Sequence, residues 1–413
     1  MKYYLVGIKG SGMAGLAQIL YDLGHSVSGC DVNKELFVEY SLKEKNIKID
    51  AFEHMNYHDF DVIVVGNAFV GKYDFDGKIV KTYQEMLSDL SSKYYSIAIC
   101  GTHGKTTTTN MIKKVVNEYY GCNYLVGDGQ GHAHINNKYF VFEACEHRDH
   151  FLSYYPNIIV CTNIDFDHVE YFKNKNQYKK SFHLFFKQVK DNLILNDTIS
   201  YNLNNKTTFG FNNANIKAIN ITLSSKGICF DLLYNKNTYK NIYLPFYGKH
   251  MLANSLACIS CCLTLNIPLS NIINSLKTYK DAGRRYNITF VNSSIIIDDY
   301  GHHPNEILAT TNAIYQEFPN KKLYIVYHPD RPKRLSYFKK GYSKIFKKAY
   351  KTYVLDFLDQ NEESKNAIHE IVDNEKISKF TNDFFNNDFS DSVILFTGSK
   401  EMKDIIKKLK SFL

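Results

Sequence analysis

The sequence predicts an α/β protein of three domains, and three similar segments support this fold class. Each segment opens with a short apolar strand, continues through a turn rich in Gly or His, and leads into a helical pattern. The opening strands lie at residues 2–8, 96–100 and 294–297. Strands that alternate with helices form parallel sheets, and ligands gather at the carboxyl ends of such strands. We therefore expect three α/β units, each with a candidate binding turn.

Two short segments are candidate linkers between these units. Residues 88–93 are rich in Ser, and residues 279–285 include Gly283. Between residues 192 and 244 the chain has short β-type runs broken by Asn and Gly, which predicts extra strands. The predicted organisation is a Rossmann-like N-terminal domain (1–93), a central P-loop ATPase-like domain with an extra β-sheet (94–282), and a Rossmann-like C-terminal domain (283–413).

Composition favours a globular protein that binds small anions. Of the 413 residues, 44% are hydrophobic and 22% are charged, and the net charge is +8. The Lys residues are spread rather than clustered, which argues against nucleic-acid binding. No stretch has the pattern of a signal peptide or a membrane span. The nine Cys have irregular spacing, which favours a reducing compartment, so we expect a cytoplasmic protein. We also expect a monomer or weak homodimer.

The strongest motif is a phosphate loop between the second predicted strand and its helix. Backbone N–H groups of such a turn hold phosphate oxygens together with the helix dipole. Lys105 would reach the β- and γ-phosphates, and the Thr106 hydroxyl would bind Mg²⁺. Two residues rather than four separate the glycines, so a turn that Gly and Lys merely close is the alternative. The motif consists of Gly101, Thr102, His103, Gly104, Lys105, Thr106 and Thr107.

This short form of the loop resembles the nucleotide loop of the Mur ligase family, which builds the peptide stem of the bacterial wall precursor. Members of that family have three domains, which bind a UDP-sugar, ATP and the incoming amino acid in that order. The resemblance implies ATP as co-substrate, Mg²⁺ as cofactor and formation of an amide bond.

A glycine cluster follows the first predicted strand. Gly10, Gly12 and Gly15, with Asp31 further on, match the dinucleotide-binding fingerprint. An NAD oxidoreductase is one interpretation, but a UDP-sugar presents the same pyrophosphate and ribose, and the phosphate loop favours the latter. The string from Gly7 to Met13 resembles the alanine-adding Mur ligases. The predicted UDP-sugar contacts are Gly10, Ser11, Gly12, Met13, Asp31 and Asn67.

Two further strands deliver metal-binding side chains near the phosphate loop. Glu143 ends the strand 140–142, and His168 follows the strand 158–162. Both strings resemble the alanine-adding ligases, especially the Gram-positive form, which implies that Glu143 and His168 hold Mg²⁺ together with Thr106. The alternative is that these groups are polar residues of surface loops. By the same resemblance His250 and Asn254, four residues apart on one helix face, flank the adenine.

The third unit supplies candidates for closure and for binding the amino acid. Arg285 would reach the transferring phosphoryl group when the domains close. The string 298–304 resembles the Asp-Asp-Tyr-Ala-His-His-Pro signature of the family. His328 and Asp330 depart from the family pattern, whereas Arg331 or Arg334 would grip a carboxylate. The predicted set is Asp299, Tyr300, His302, His303, Arg331 and Arg334.

The resemblance covers all three units in the correct order. It implies that L-alanine is joined to the lactyl carboxylate of UDP-N-acetylmuramate through an acyl phosphate, with Lys105, Glu143, His168 and Arg285 as the catalytic group. One alternative is a related ligase that uses another amino acid or a muropeptide. A second is a nucleotide-binding regulatory protein on the same scaffold. Folate-type polyglutamate ligases lack the first glycine cluster, which counts against them.

Overall fold

A computed structural model describes residues 1–34, 36–203, 206–281, 283–373 and 375–413. It contains three sheets, one in each predicted unit, and the predicted α/β class with three domains is confirmed. The domain boundaries stay predictions. Ala282, the last residue of the predicted central domain, lies outside the described residues.

The N-terminal sheet has five parallel strands. Its elements are β1 (Lys2–Val6), α1 (Ser11–Asp22), β2 (Ser26–Asp31), α2 (Glu39–Glu44), β3 (Lys48–Ala51), β4 (Val62–Val65), β5 (Ile79–Thr82) and α3 (Tyr83–Ser91). The strand order is β3-β2-β1-β4-β5, so the turn after β1 opens at a topological switch point. Helix α3 begins with a capping box of Thr82 and Glu85. Because this helix continues to Ser91, most of the Ser-rich segment predicted as a linker is helical.

The central sheet has ten strands. Its elements are β6 (Tyr95–Cys100), α4 (Lys105–Tyr120), β7 (Cys122–Leu125), β8 (Gly131–His132), β9 (Tyr139–Glu143), β10 (Ile158–Cys161), α5 (Lys175–Phe186), β11 (Asn192–Asn196), β12 (Lys206–Gly210), β13 (Ile216–Ser224), β14 (Gly227–Tyr234), β15 (Asn237–Leu244), α6 (Lys249–Thr264) and α7 (Leu269–Lys277). Strand β6 lies between β10 and β9 and is parallel to both. The predicted extra strands do not form a separate sheet, because β12 pairs with β11 and extends this one.

The C-terminal sheet has six strands in the order β16-β17-β21-β18-β19-β20. The elements are β16 (Asn287–Val291), β17 (Ser294–Asp299), α8 (Pro304–Glu317), β18 (Lys322–Tyr327), α9 (Pro332–Tyr337), α10 (Lys339–Phe346), β19 (Lys351–Val354), α11 (Glu362–His369), β20 (Ile377–Lys379), β21 (Ser392–Thr397) and α12 (Lys403–Phe412). Only β16 runs antiparallel to its neighbour. In the described part of the chain no helix has both the length and the apolar character needed to cross a membrane.

The first two domains share an apolar core, whereas the third has its own. One cluster of buried residues runs from Tyr3 to Ile199 and so joins the N-terminal and central sheets. The buried members of the C-terminal clusters all lie beyond residue 294. Apolar contact between the central and C-terminal domains is smaller: the partly buried Phe338 packs against both clusters, and the Phe166 ring lies 5.6 Å from the Tyr337 ring.

Helix α1 is seated directly on the edge of the central sheet. A Cβ on Gly131 would overlap the carbonyl oxygen of Gly15, so the two backbones touch. Gln18 Nε2 donates to the Gly129 carbonyl at 2.8 Å, and Asp22 Oδ2 accepts from the backbone N–H of Ala133 at 3.2 Å. The third glycine of the predicted fingerprint thus serves packing between domains.

Replacing Gly131 by Ala should destabilise the protein, since neither backbone can move without disturbing these hydrogen bonds. Overpacking of this kind costs about 1–3 kcal/mol. The measurement is the midpoint of thermal unfolding. Ile135→Ala is the matched control: its side chain lies near the same strands and is 75% exposed, so its effect should stay within about 0.5 kcal/mol. Equal midpoints for the two variants would contradict the close contact.

Candidate active site

The turn between β6 and α4 has a shape that glycine permits at two positions. Gly101 has a φ of 134° and Gly104 a φ of 78°, which side chains rarely tolerate. A Cβ on Gly104 would also lie 2.5 Å from Oδ1 of Asn254. Asn163 braces the turn, because its amide accepts from the His103 N–H and donates to the His103 carbonyl, both at 2.9 Å. The N-terminus of α4 therefore opens into a fixed concave turn that suits an anion.

Lys105 points back into this turn and pairs with a buried acid. Its Nζ donates to the carbonyls of Gly101 at 2.6 Å and Thr102 at 3.1 Å, and it lies 3.0 Å from Glu146 Oε2. Burial disfavours the charged forms of both Lys105 and Glu146, but the attraction between the two opposite charges is larger than this effect. The pKa of Lys105 lies above its ordinary value, and the charge of Lys105 and a hydrogen bond from His168 lower the pKa of Glu146 to about 2. Both groups are therefore ionised.

Oxygen atoms suited to a hard cation gather beside the lysine. Thr106 Oγ1 donates to Glu143 Oε2 at 2.9 Å, and the Gly127 N–H donates to the same oxygen at 3.2 Å. Arg285 Nη2 donates to Thr106 Oγ1 at 3.2 Å. A hydroxyl and a carboxylate at this spacing fit Mg²⁺, which prefers oxygen ligands.

His168 links two acidic groups through its two ring nitrogens. Nε2 lies 3.5 Å from Glu146 Oε1, and Nδ1 lies 3.3 Å from Glu170 Oε1. Burial lowers the pKa of His168, but hydrogen bonds to both glutamates raise it above the ordinary value. Its backbone has a φ of 54°, an uncommon conformation that is enriched at functional sites.

A cavity of about 420 Å³ brings the predicted catalytic residues together. Its walls come from the central domain on one side and the C-terminal domain on the other. The lining includes Lys105, Thr106, Glu143, His168, Arg285 and Tyr300. These side chains lie far apart in the sequence, and the fold places them around one space.

A second cavity, of about 760 Å³, adjoins the first and lies against α6. His250 and Asn254 line it, as the sequence predicts for a base-binding pocket. Burial lowers the pKa of His250, which favours its neutral form. Asp281 also lines the cavity, and its Oδ2 accepts from Thr107 Oγ1 at 3.2 Å. The phosphate loop thus runs from this cavity into the smaller one.

Asp299 and Tyr300 at the end of β17 hold the third domain's loops around the cavities. Asp299 accepts from the backbone N–H groups of Tyr286 at 3.0 Å and Gly301 at 2.9 Å. The Arg285 guanidinium lies 4.7 Å from the centre of the Tyr300 ring, a cation–π distance. The Tyr300 ring therefore helps to hold the Arg285 guanidinium where it donates to Thr106.

His302 and His303 organise the N-terminus of α8. Glu306 accepts from the backbone N–H groups of both at 3.0 and 3.1 Å. Its other oxygen lies 3.2 Å from Nδ1 of His103 in the phosphate loop. Burial and the charge of His103 lower the pKa of His303 to about 4. This pair of histidines therefore reaches the phosphate loop through Glu306.

Arg334 joins the central and C-terminal domains, and its guanidinium is already bound to two carboxylates of the protein. Its guanidinium binds Asp167 of the central domain at 3.0 and 3.1 Å and Asp330 at 3.0 Å. The Arg334 side chain is 2% exposed. Burial raises the pKa of Asp167, but Arg334 holds it well below the usual value. Arg331, 37% exposed, pairs with Glu170.

The predicted UDP-sugar residues surround the turn after β1. Gly10 caps α1, whose first residue is Ser11, and Met13 is buried in the core, so only its backbone faces the turn. A Cβ on Gly12 would lie 2.7 Å from the Tyr83 hydroxyl. The glycine thus makes room for a protein ring as well as for any ligand.

Asp31 and Asn67 take different positions around that turn. Asp31 is buried, and its carboxylate accepts from the backbone N–H groups of Lys9 and Val32, both at 2.7 Å. It therefore braces the turn from within. Asn67 is exposed, and its amide lies 3.4 Å from Nδ1 of His150 in the central domain. Asn67 therefore lies at the contact between the N-terminal and central domains.

Several residues at the site were absent from the predicted set. Asn163 follows β10, next to the phosphate-loop strand, and Glu306 lies one turn into α8. Lys400 follows β21, the strand beside β17. The signal in the sequence for Asn163 and Lys400 is a polar residue in the loop after an apolar strand, whereas Glu306 lies in the first turn of a helix. Sheet order decides which of these polar residues meet, and the sequence alone does not give that order.

Two family models match this chain. The model of the Mur ligase middle domain matches residues 99–262, and the model described as Mur ligase family, catalytic domain matches residues 2–95. Together they span more than half of the sequence.

Solved structures share the fold over the whole chain. The UDP-N-acetylmuramate-alanine ligase of Thermotoga maritima has a TM-score of 0.81 at 22% identity, covering 100% of this chain and 98% of its own. A murein peptide ligase from Psychrobacter arcticus has a TM-score of 0.71 at 20% identity with the same coverage. The MurF ligase of Thermotoga maritima, in complex with ADP, has a TM-score of 0.66 at 15% identity and covers 94% of each chain. These likenesses establish the three-domain fold.

Replacing Arg334 by Met should open the junction between the central and C-terminal domains. The change leaves Asp167 and Asp330 facing each other without a cation, and breaking a buried pair in this way costs about 3–5 kcal/mol. Separation of the domains relieves that cost, so the radius of gyration from small-angle scattering should increase. Arg331→Met, which removes an exposed pair, is the control and should scatter like the wild type. Unchanged scattering for Arg334→Met would refute the role of Arg334 in holding the two domains together.

Proposed function

Because this chain belongs to the Mur ligase family, we propose that it is an ATP-dependent amide ligase of peptidoglycan-precursor synthesis. In our proposal it joins L-alanine to the lactyl carboxylate of UDP-N-acetylmuramate. The observation that carries the proposal is the smaller cavity, where the phosphate loop, Glu143, His168 and Arg285 meet. Such a space suits phosphoryl transfer, which depends on positioning and charge neutralisation.

ATP fits the two adjoining cavities. The adenine would lie in the larger one beside His250 and Asn254, and the phosphates would follow the turn into the smaller one. The backbone N–H groups at the start of α4 would hold phosphate oxygens. A phosphate there would draw the Lys105 ammonium away from the carbonyls of Gly101 and Thr102.

Thr106, Glu143 and His168 would hold Mg²⁺. When bound, the ion neutralises charge that develops on the transferring phosphoryl group. Glu146 keeps Lys105 and His168 oriented, because it contacts both side chains. Arg285, stacked on Tyr300, brings a further positive charge from the C-terminal domain.

UDP-N-acetylmuramate would anchor at the turn after β1, with its pyrophosphate on the N-terminus of α1. Its carboxylate then attacks the γ-phosphate of ATP, ADP leaves, and an acyl phosphate forms. The amine of the amino acid attacks the acyl carbon, and the resulting tetrahedral intermediate expels inorganic phosphate and leaves an amide. The protein must exclude water, which would hydrolyse the acyl phosphate, and closure of the C-terminal domain serves this purpose.

The third substrate would bind on the C-terminal side of the smaller cavity, where Arg331 and Lys400 line the wall. The likeness to an alanine ligase over the full chain supports L-alanine. The second candidate is a murein peptide, which the likeness to a murein peptide ligase favours.

An assay of phosphate release tests the proposal. Release from ATP by the purified chain should require both UDP-N-acetylmuramate and an amino acid, with L-alanine the best. Lys105→Ala should lower turnover by about a hundredfold or more, since it removes a charge aimed at the transferring group. Circular dichroism checks that the variant is folded.

Lys114→Ala, two turns along the same helix and in an exposed pair with Glu118, should keep full activity. Preference for a murein peptide over L-alanine would select the second candidate. Tight ATP binding without phosphate release would instead identify a regulatory protein, and full activity of Lys105→Ala would refute the role of the loop.

A further inference from the structure

We propose that the central domain carries a second, inhibitory cation site for a zinc-like ion, formed by His147, His168 and Glu170. The site uses Nδ1 of His168, which faces Glu170, whereas Nε2 faces Glu146. Cation binding there does not depend on the proposed function. Only the inhibition does.

The spacing of the ligand atoms carries this inference. One ligand atom from each of the three side chains lies within 4.8 Å of the other two. Glu170 Oε1 is 3.3 Å from His168 Nδ1 and 3.6 Å from His147 Nε2. Bonds of about 2.0–2.2 Å around a tetrahedral ion place ligand atoms about 3.3–3.6 Å apart. The two distances from Glu170 match that geometry, and the two histidine nitrogens lie within 4.8 Å of each other.

The chemistry of the three ligands selects the ion. Two imidazoles and one carboxylate form a common zinc set that leaves a fourth position for water. Mg²⁺ prefers oxygen ligands, so a set in which two of the three ligands are imidazoles does not suit it. The side chains of His147 and Glu170 are 26% and 29% exposed, which gives an ion a path from solvent.

A positive charge already occupies this position. Arg331 Nη1 lies 3.3 Å from His168 Nδ1 and also pairs with Glu170. Arg331 belongs to the C-terminal domain, whereas the three ligands belong to the central domain. An ion at the site would therefore displace Arg331 and repel it, so bound metal opposes the closed arrangement.

His168 connects this site to the catalytic cavity. Its Nε2 faces Glu146, and its Nδ1 faces Glu170. An imidazole that binds a metal through Nδ1 keeps its proton on Nε2. The Nε2 atom then donates a hydrogen bond and cannot bind Mg²⁺. Occupation of the second site should inhibit the ligase even when Mg²⁺ is abundant.

Cobalt binding to the chelator-treated full chain tests the site without any substrate. Co²⁺ should give the visible spectrum of a tetrahedral ion at one equivalent, and Zn²⁺ should displace it. His147→Gln and Glu170→Gln should each weaken binding by about a hundredfold or more, since even outer-shell changes typically cost 10–100-fold. Arg331→Met should tighten binding, because it removes the competing cation.

His150→Gln is the matched control, because this histidine lies in the same 3-10 turn (His147–Ser153) but outside the three ligands. It should bind Co²⁺ like the wild type. A spectrum that persists in His147→Gln, or an unchanged affinity in Arg331→Met, would overturn the site. Circular dichroism shows whether each variant is folded.

Phosphate release at fixed Mg²⁺ then tests the inhibition. Zn²⁺ should inhibit the wild type and His150→Gln, whereas His147→Gln should keep its basal rate and lose the sensitivity. Equal Zn²⁺ inhibition of His147→Gln would show that the ion acts elsewhere. If the chain has no ligase activity, the cobalt measurement still decides whether the site exists.

Discussion

The arrangement of the active site depends on one buried cation, the Arg334 guanidinium, held between Asp167 of the central domain and Asp330 of its own domain. Both carboxylates lie at the domain junction and would repel each other without it. A buried pair of this kind adds little net stability over apolar packing, but its bidentate geometry permits only one orientation. In the same arrangement Arg285 lies against Thr106 and Glu306 against His103, so the Arg334 pairs act together with these contacts to position the C-terminal side of the cavity.

The two domain junctions differ in their chemistry. The N-terminal and central domains share a cluster of buried apolar side chains, whereas the central and C-terminal domains meet mainly through ion pairs and hydrogen bonds, with a smaller apolar contact at Phe166, Tyr337 and Phe338. Polar interfaces can exchange their contacts for water, and apolar ones cannot without a large loss. Separation of the C-terminal domain should therefore cost less than separation of the N-terminal domain.

The sequence predicted the fold class and the strand ends that carry the site, because both follow from local patterns. The loop at Gly101 to Thr107 and the acid Glu143 were visible as polar residues after apolar strands. The role of Arg334 was not, since its partner Asp167 lies 167 positions away and only the domain arrangement pairs them. The glycine fingerprint predicts ligand contacts at Gly10 and Gly12, but it does not predict that Gly15 packs against the backbone of Gly131. A pattern of glycines indicates that some group packs closely against the backbone, but it does not show whether that group is a ligand or another part of the protein.

The seating of α1 on the edge of the central sheet has a consequence for the choice of acceptor. The N-terminus of this helix and the phosphate loop are held at one separation, because the helix backbone rests against β8. Under the proposed function, this separation sets the distance that the carboxylate of a sugar nucleotide docked at the first turn must span to reach the γ-phosphate. A precursor already lengthened by amino acids would need a different separation of the two turns to present its terminal carboxylate at the same point, so the packing of α1 on β8 bears directly on the length of the acceptor.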